Sequence, residues 1–281
     1  MNFENTEVMN FEGALRGMRN PMNSWHKSDS IFEIYCEHED SMDPIDEIAY
    51  RWAEYLLKDT VFDNEDDYET EFAKIYEEKR EWLWCQGASF IGTDHHYKLD
   101  LIGPADMDLC RRLINGGPEH RKFLRQIFVS VDITAPLYWF KEFDTNRIGV
   151  TENSTSTMHK LASTPITLDC FETDDYCGDL VYFTHDGDTL TDYTVNDISA
   201  NMIEDLEALR QKYNETKDKR YWKELIRWLP NGWLQTRTVT MNYENLRSMY
   251  HQRENHKLSE WHQFCKWVED DLPYSKELII D

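Results

Sequence analysis

The stretch APLYWFKEFDTNRIGVTENSTSTMHKL, residues 135–161, joins an apolar run to a dense block of hydrogen-bonding side chains. Its first part predicts a helix that buries one face through Leu137, Tyr138, Phe140 and Phe143. From Asp144 the chain turns polar, and residues 151–157 are all hydroxyl, amide or carboxylate residues. Such a pattern predicts either a ligand site presented on a rigid scaffold or a solvated loop whose hydroxyls cap turns.

This stretch resembles the signature region of the flavin-dependent thymidylate synthases. In that family an aromatic-rich helix beginning Ala-Pro leads into Arg-His-Arg, two residues, Ser, one residue and then Asn-Glu-x-Ser-x-Arg. Aligned without a gap, Arg147 matches the second arginine, Asn153 the Glu and Thr155 the late Ser. Glu152 stands at the motif's Asn. The first Arg, the His and the last Arg are replaced by Thr145, Asn146 and Thr157.

A second segment, ELIRWLPNGWLQTRTVTMNYENLRSMYHQRENHKLSEWHQF, resembles the family's C-terminal arginine helix. Leu229 and Pro230 match its Leu-Pro, and counting from Pro230 places Asn242 and Arg253 on its Asn and helix-ending Arg. Arg227 lies one position from the arginine expected before Leu-Pro. A helix starting near Asn242 would place Asn242 and Arg253 on one face.

The resemblance implies an α+β fold like that of the thymidylate-synthase-complementing proteins. We expect a small, mostly antiparallel sheet that includes residues 126–133 and 180–184, surrounded by long helices. Residues 1–281 would form a single domain, with residues 31–100 as an acidic helical elaboration. Periodicity predicts helices near 43–56, 64–84 and 104–116 and a long helix from Asp197, and residues 87–101 read as a loop.

The resemblance also implies a flavoprotein that binds FAD, with methylenetetrahydrofolate and NADPH as co-substrates and dUMP or an analogue as the nucleotide. Its site residues fall into three groups. The catalytic group is Arg147, Thr155 and Ser156. The cofactor-binding group is Arg147, Ile148, Asn242 and Arg253. The substrate-binding group is Glu142, Asn153, Ser154, Thr155, Ser156, Arg227 and Arg253. The family's homotetrameric assembly is carried over as an expectation.

Two alternatives remain open because the expected Arg-His-Arg is missing. Each lost arginine removes charge-assisted hydrogen bonds from the expected nucleotide site, worth about 1.5–3 kcal/mol if buried. Either another arginine compensates, the candidates being Arg121, Arg125, Arg227 and Arg237, or the substrate is not dUMP. The missing motif leaves two alternatives to a thymidylate synthase. The chain is either an inactive nucleotide-binding or assembly homologue, or a flavin enzyme that makes another 5-substituted pyrimidine.

Charge and composition limit the other functions. The net charge of −24 argues against broad binding of nucleic acid, which requires a basic surface. No run of eighteen apolar residues or signal-like N-terminus is visible, so we expect no membrane segment and a cytoplasmic protein. Bases are nonetheless concentrated in residues 217–257, nine against four acids, which suits a small phosphorylated ligand.

The cysteines give no metal-binding pattern. The six are scattered without CxxC spacing, which favours reduced thiols over a zinc site or a disulfide framework. Cys170 and Cys177, with His185 nearby, lack a suitably spaced fourth ligand. The adjacent pair His95 and His96 points to opposite sides of an extended chain. We therefore predict no metal site.

Overall fold

The computed structural model describes residues 1–35, 44–62, 64–86, 91–93, 96–186 and 189–281. These residues form two compact units. The first unit comprises Met1–Val8 and Phe128–Pro273, and the second comprises Met9–Ile127 and Tyr274–Asp281. Helices and small antiparallel sheets make up both units, which confirms the predicted α+β class. That residues 1–281 act as a single domain stays a prediction.

The first unit contains, within its described residues, a four-stranded sheet in the order β1-β5-β9-β6. Its strands are β1 (Asn2–Met9), β5 (Phe128–Pro136), β6 (Thr151–Ser154) and β9 (Leu234–Asn242). β9 pairs antiparallel with β5 on one side and with β6 on the other. The predicted strand at 126–133 is therefore confirmed, shifted toward Pro136 because residues 122–126 form a 3₁₀ turn.

The two faces of this sheet differ in chemistry because side chains alternate along a strand. One face is apolar and buried, through Val129, Val131, Ile133, Val239 and Met241. The other face carries hydroxyls, with Thr134 and Thr236 hydrogen-bonded across the strands at 2.7 Å. On this polar face Asp132 accepts hydrogen bonds from the Thr238 hydroxyl and from the Asn5 amide, at 2.5 and 2.8 Å.

Helices cover the rest of the first unit. They are α5 (Leu137–Phe143), α6 (Thr157–Lys160), α7 (Val195–Thr216), α8 (Lys219–Arg227), α9 (Tyr243–Arg253) and α10 (Ser259–Asp271). A hairpin of β7 (Val181–Asp186) and β8 (Thr189–Thr194) precedes α7. The strand predicted at 180–184 and the long helix predicted from Asp197 are confirmed. Thr194 fixes the start of α7 through a capping box with Asp197.

The aromatic residues of α5 anchor the core of the first unit. Trp139, Phe140 and Phe143 are fully buried, and the Trp139 ring lies 4.9 Å from that of Trp261 on α10. A second apolar cluster lies beneath α7 and α8 and consists of Leu161, Ile166, Phe171, Leu206 and Leu225. Each such fully buried side chain contributes about 1.5–3 kcal/mol relative to exposure, before the entropy cost of ordering.

The second unit is mainly helical. Its helices are α1 (Phe11–Arg19), α2 (Pro44–Leu57), α3 (Glu65–Gln86) and α4 (Pro104–Asn115), close to the predicted bounds. Its strands, ordered β2-β4-β3, are β2 (Ile31–Tyr35), β3 (Ile91–Thr93) and β4 (His96–Leu101). The loop predicted at 87–101 was wrong in part, because β3 and β4 pair as a hairpin. In β4, Tyr97, Leu99 and Leu101 alternate with polar residues, which is the sequence pattern typical of a strand.

A buried ion pair organises the start of the second unit. Arg19 and Asp106 are 5% and 0% exposed, and Arg19 Nε donates to Asp106 Oδ1 at 2.5 Å. Asp106 also accepts hydrogen bonds from Ser28 and Ser30. Asp29 accepts the first backbone N–H groups of α4, and burial raises the pKa of its carboxyl. Breaking such a pair by removing one partner typically costs about 3–5 kcal/mol.

Among the described residues, none of the helices combines the length and the apolar character that a membrane span requires.

Candidate functional site

The C-terminal end of α5 presents two carboxylates beside the aromatic core. Pro136, in an extended conformation, precedes the helix, and the helix ends at Asp144. Phe140 and Phe143 are buried on the inner face, so the helix is held firmly. Glu142 and Asp144 therefore emerge at fixed positions, and each belongs to a separate polar cluster.

The first cluster surrounds Glu142. Its Oε2 accepts the indole N–H of Trp261 at 3.1 Å and lies 3.4 Å from Arg253 Nη1. The Arg253 guanidinium also lies over the Trp261 ring, 4.7 Å from its centroid. Two residues predicted for the substrate site, Glu142 and Arg253, are thus in direct contact although 111 positions separate them.

His256 completes the Glu142 cluster, and sequence reasoning missed it. Its Nε2 lies 3.4 Å from Glu142 Oε2, while its Nδ1 accepts the backbone N–H of Leu258 at 3.2 Å. A nitrogen that accepts a hydrogen bond carries no proton, so the neutral ring holds its proton on Nε2, toward the carboxylate. The sequence signal was a histidine three residues beyond the helix-ending Arg253.

The second cluster surrounds Arg237 on β9. Its Nη1 donates to Asp144 Oδ1 at 2.7 Å and to Glu152 Oε2 at 2.5 Å, and its Nε donates to Gln235 Oε1 at 3.0 Å. The guanidinium lies 3.9 Å from the centroid of the Phe140 ring. Only 15% of the side chain is exposed. Arg237, considered from sequence only as one possible compensating arginine, is therefore the best-buried cation of this region that the structure describes.

The loop after α5 meets the start of α9. Asn242 and Asn245 form a capping box at the helix N-terminus, and Asn245 Nδ2 donates to the Ile148 carbonyl at 2.7 Å. Gly149 has φ +80°, and a Cβ added there would lie 3.0 Å from Asn242 Nδ2. Both the backbone conformation and the close approach require glycine. The predicted flavin residues Ile148 and Asn242 are thus brought together.

Arg147 and Ile148 project from this loop. Ile148 is 91% exposed. The Arg147 side chain is also exposed, and its Nε donates to the Asp144 carbonyl at 2.9 Å. Within the described residues, no carboxylate forms an ion pair with its terminal nitrogens. Among the three arginines predicted as site residues, Arg147, Arg227 and Arg253, only Arg147 lacks an ion pair with a carboxylate of the described residues, so its charge is the most accessible to a ligand.

The predicted substrate segment, residues 153–156, begins in the last two residues of β6 and continues beyond the strand. Asn153 and Ser154 pair with Thr238 and Arg237 of β9, and all of the side chains of 153–155 are exposed. The Thr155 backbone N–H donates to the Thr236 carbonyl at 2.9 Å. Ser156 Oγ accepts the His159 backbone N–H at 3.2 Å and caps α6. Ser156 thus has a structural role, while the other hydroxyls and the Asn153 amide face solvent.

Arg227 does not join these groups. It lies at the end of α8, is exposed, and forms an ion pair with Glu224. Within the described part of the chain it makes no hydrogen bond or ion pair with Glu142, Arg147 or residues 153–156. Its predicted substrate role stays untested.

A buried acid–phenol pair borders the Glu142 cluster and was not predicted. Glu260 is 3% exposed and accepts a hydrogen bond from the Tyr138 hydroxyl. Burial, followed by the bond to Glu260, raises the pKa of Tyr138. Burial also raises the pKa of the Glu172 carboxyl, 3.4 Å from the same hydroxyl. Glu260 directly precedes Trp261 in the sequence, and this position beside a tryptophan of the family-like segment is the one signal that could have identified it.

The charges of the region decide how well an anionic ligand fits. Arg237 faces two carboxylates, Arg253 faces one, and Arg227 faces one. A phosphate group would have to compete with these carboxylates for the N–H donors of the guanidinium groups. Solvent-facing hydroxyls and the Asn153 amide at 153–155 suit the uncharged sugar and base of a nucleotide, and Arg147 suits an anionic group of a ligand. These residues can therefore form hydrogen bonds with a nucleotide. Fewer unpaired arginines are available to its charged groups than the motif alone implied.

Among the described residues, no group of three or more His, Cys, Asp or Glu side chains is arranged to hold a metal ion. Cys170 and Cys177 carry free thiols. The His185 side chain and His95 lie outside the residues whose side chains the structure describes.

Comparison with known proteins supports the fold. No model of a known protein family matches the chain, and no curated protein sequence matches it. A crystal structure of thymidylate synthase X from Helicobacter pylori, with FAD and dUMP, superposes with a TM-score of 0.53 at 14% identity. That alignment covers 99% of this chain and 97% of the other. A second structure, flavin-dependent thymidylate synthase ThyX from the same organism complexed with FAD and dUMP, gives a TM-score of 0.45 at 17% identity.

The second alignment covers 89% of this chain and 98% of the other, and its TM-score is too low to carry an argument. The first shows that the chain has a fold like that of thymidylate synthase X along nearly its whole length. At this identity the likeness concerns the fold alone.

Proposed function

We propose that this protein is an FAD-dependent, thymidylate-synthase-like enzyme. It would transfer a one-carbon unit from methylenetetrahydrofolate to C5 of a pyrimidine deoxynucleotide, dUMP or an analogue. The observation that carries the proposal is the meeting of two distant segments chosen as ligand-binding from their sequence. Residues 142–149 and 242–253 join through the Glu142–Arg253 and Ile148–Asn245 contacts. The Helicobacter pylori thymidylate synthase X structure whose fold this chain resembles contains FAD and dUMP, which supports the proposal.

Flavin would be held by Arg147, Ile148, Asn242 and Arg253. Reduced flavin supplies the hydride of the proposed reaction, and NADPH and methylenetetrahydrofolate serve as co-substrates. Asn242 fixes the start of α9 and, with Asn245, positions the Ile148–Gly149 backbone. Arg147 then offers its terminal nitrogens to an anionic group. The role of this part of the chain would be to bind the flavin and to orient it for the reaction.

The nucleotide would lie along residues 153–156. Hydrogen-bonding groups of Asn153, Ser154 and Thr155 face solvent from a strand that β9 holds in register. Ser156 fixes the end of this segment by capping α6. Glu142 acts through Arg253, because its carboxylate sets how much positive charge that guanidinium presents. The proposed enzyme is a cytoplasmic homotetramer, as the family resemblance implies.

The first test is the visible absorbance spectrum of the purified protein after incubation with FAD and removal of free FAD by gel filtration. Bound flavin bands that are perturbed by dUMP would support the proposal. Arg147→Ala should weaken flavin retention. The control Arg220→Ala removes an exposed arginine that pairs locally with Asp218, and it should have no effect. Failure to bind any flavin or nucleotide would refute the proposal.

A second candidate is a catalytically inactive nucleotide-binding or assembly homologue. The observation that favours it is the pairing of Arg227, Arg237 and Arg253 with carboxylates of the same chain. Release of deuterium from C5-deuterated dUMP, with reduced flavin and folate present, distinguishes the two functions. Mass analysis of the product distinguishes methylation from the formation of another 5-substituted pyrimidine.

A further inference from the structure

Helices α2 and α3 carry a row of aromatic rings along the line where they pack together. In α3, Tyr68, Phe72 and Tyr76 follow one another every four residues, with ring centroids 5.8 and 6.5 Å apart. The Tyr50 ring of α2 lies 5.0 Å from that of Phe72. Tyr50 and Tyr68 are 46% and 37% exposed, so the aromatic row formed by these four residues keeps two of its rings open to solvent.

The two helices run antiparallel, which fixes the residues that lie level with each other. Tyr50 of α2 contacts Phe72 of α3. Asp46, one turn earlier on α2, pairs at 2.6 Å with Arg80, about two turns later on α3. Positions later on α2 than Tyr50 therefore lie level with positions earlier on α3 than Phe72.

Two carboxylates lie beside the exposed rings. Glu54 follows Tyr50 by four residues, and Glu69 precedes Phe72 by three, so each carboxylate shares the side of its helix that carries the ring. Both glutamate side chains are exposed. Because the helices are antiparallel, the two carboxylates lie level with each other across the helix pair. Like charges in such a position repel each other unless a cation lies near both.

The bases of this region are engaged elsewhere. Residues 44–86 contain five bases, and four of them pair with acids other than Glu54 and Glu69: Arg51, Lys74, Lys79 and Arg80. The fifth, Lys58, lies over the Tyr55 ring, 3.5 Å from its centroid. Within the described part of the chain, Glu54 and Glu69 form no ion pair, and no cation lies over either exposed ring of the aromatic row. The cation that this surface suits must therefore come from another molecule.

A guanidinium group suits open rings that are flanked by carboxylates. Its flat face stacks on an aromatic ring while its N–H groups donate to carboxylate oxygens. The same arrangement occurs elsewhere in this protein, where the Arg253 guanidinium lies 4.7 Å from the centroid of the Trp261 ring and 3.4 Å from Glu142. Residues 44–86 contain thirteen acids against five bases, so a basic partner is attracted and an acidic partner is repelled.

The spacing along the aromatic row matches that of an extended peptide. Successive rings of α3 are 5.8 and 6.5 Å apart. In an extended chain every second side chain lies on the same side, about 6.6 Å from the one before. Arginines at alternate positions of a peptide therefore reach successive points of the aromatic row, with Glu54 and Glu69 beside them. A single small cation would use one such point only.

We propose that the aromatic row, together with Glu54 and Glu69, binds an extended segment of another protein that carries arginines at alternate positions. Stacking on the exposed rings selects arginine, and the two carboxylates supply the charge-assisted hydrogen bonds. The proposal concerns a second function of the chain and does not depend on what the candidate functional site binds.

Fluorescence anisotropy on the full chain tests the proposal, with a labelled peptide Arg-Gly-Arg-Gly-Arg as the probe. A salt concentration of about 0.15 M screens the attraction that the net charge of −24 exerts on any basic peptide. Tyr68→Leu removes an exposed ring and Glu69→Gln removes an exposed charge, and each should raise the Kd about threefold. The matched control Glu81→Gln makes the same charge change nine residues from Phe72, on the opposite side of α3, and should leave the Kd unchanged.

Two further peptides separate ring stacking and spacing from charge alone. The peptide with lysines in place of arginines has the same charge but lacks the flat guanidinium groups, so it should bind about threefold more weakly. The peptide Arg-Arg-Arg-Gly-Gly keeps the composition of the probe but loses the alternate spacing, and it should also bind more weakly than the probe.

Several results would overturn the proposal. A probe that stays unbound at about 0.5 mM protein would do so. Equal effects of Glu69→Gln and Glu81→Gln would show a general effect of charge, and an unchanged Kd in Tyr68→Leu would exclude the exposed ring. Lysine or rearranged peptides that bind as tightly as the probe would exclude recognition of alternate arginines. Circular dichroism confirms that every variant compared is folded.

Discussion

The rings of Trp139 and Trp261 lie 4.9 Å apart in the core of the first unit, yet their indole N–H groups differ in environment. Trp261 donates to Glu142 at 3.1 Å. The Trp139 nitrogen is buried and has no hydrogen-bond partner among the described residues. Two neighbouring side chains of the same type thus provide an internal comparison of a satisfied and an unsatisfied buried donor.

Phenylalanine substitution at the two tryptophans should have unequal effects. Both Trp139→Phe and Trp261→Phe leave a similar cavity, but only Trp261→Phe removes a hydrogen bond to a carboxylate. We expect Trp261→Phe to lower the free energy of unfolding by about 1–2 kcal/mol more than Trp139→Phe. Urea unfolding followed by far-UV circular dichroism measures both. Equal losses would mean that the Glu142 bond adds nothing to stability.

Alanine at Gly149 should cost more than alanine at Gly117. Both glycines have positive φ, +80° and +96°, so each substitution strains the backbone by about 1 kcal/mol. At Gly149 the new Cβ would also meet Asn242 at 3.0 Å, whereas at Gly117 no atom lies within 4 Å. Denaturant unfolding should show at least about 1 kcal/mol of additional loss for Gly149→Ala. A smaller difference would indicate that Asn242 moves aside freely.

Neutralising Glu142 should strengthen the binding of a phosphorylated ligand. Glu142→Gln can still accept the Trp261 N–H but no longer neutralises Arg253. We expect the Kd for dUMP, measured by calorimetry, to fall about tenfold, equivalent to about 1.4 kcal/mol. Glu12→Gln, which frees the remote Arg16, is the control. Weaker binding in Glu142→Gln would mean that Glu142 contacts the ligand itself.

The Glu207–Arg210 pair should make stability depend on pH in the acid range. The bond to Arg210 is the main reason that the pKa of Glu207 falls from 4.5 to about 2. A carboxyl whose pKa is lower in the folded state stabilises above its unfolded pKa, and this stabilisation disappears as pH falls from about 4.5 to 2. Glu207→Gln should therefore cost about 2 kcal/mol at pH 6 and almost nothing near pH 2.

Urea unfolding of Glu207→Gln at a series of pH values tests this, with the exposed Glu204→Gln as its control. A loss that is the same at pH 2 and pH 6 would exclude the ion pair as its cause.

Sequence patterns predicted the helices better than the strands. Helical periodicity located α2, α3, α4 and α7 because apolar residues recur along one face over many turns. β6 and β9 were missed because Thr and Asn occupy their polar face, so neither segment shows a run of apolar residues. β1 was missed for a similar reason, since Asn and Glu alternate with its few apolar side chains.

The candidate site was predicted only in part. The contacts of Glu142 with Arg253 and of Ile148 with Asn245 agree with the paired motif segments. Sequence spacing did not reveal that Arg237 would be enclosed by Asp144 and Glu152, because those three residues meet only after β9 pairs with β6 and the end of α5 folds beside it. The ion-pair partners of such charged side chains depend on tertiary contacts that no local sequence pattern contains.

β6 lies at the edge of the sheet, which affects how easily it opens. β9 has hydrogen-bonded neighbours on both sides, whereas β6 is four residues long and, among the strands that the structure describes, pairs with β9 alone. Amide protons of 151–154 should exchange with deuterium by local opening, well before those of 235–241. The segment proposed to bind the nucleotide can thus loosen and re-form while the central strand stays folded, and a bound ligand should slow its exchange.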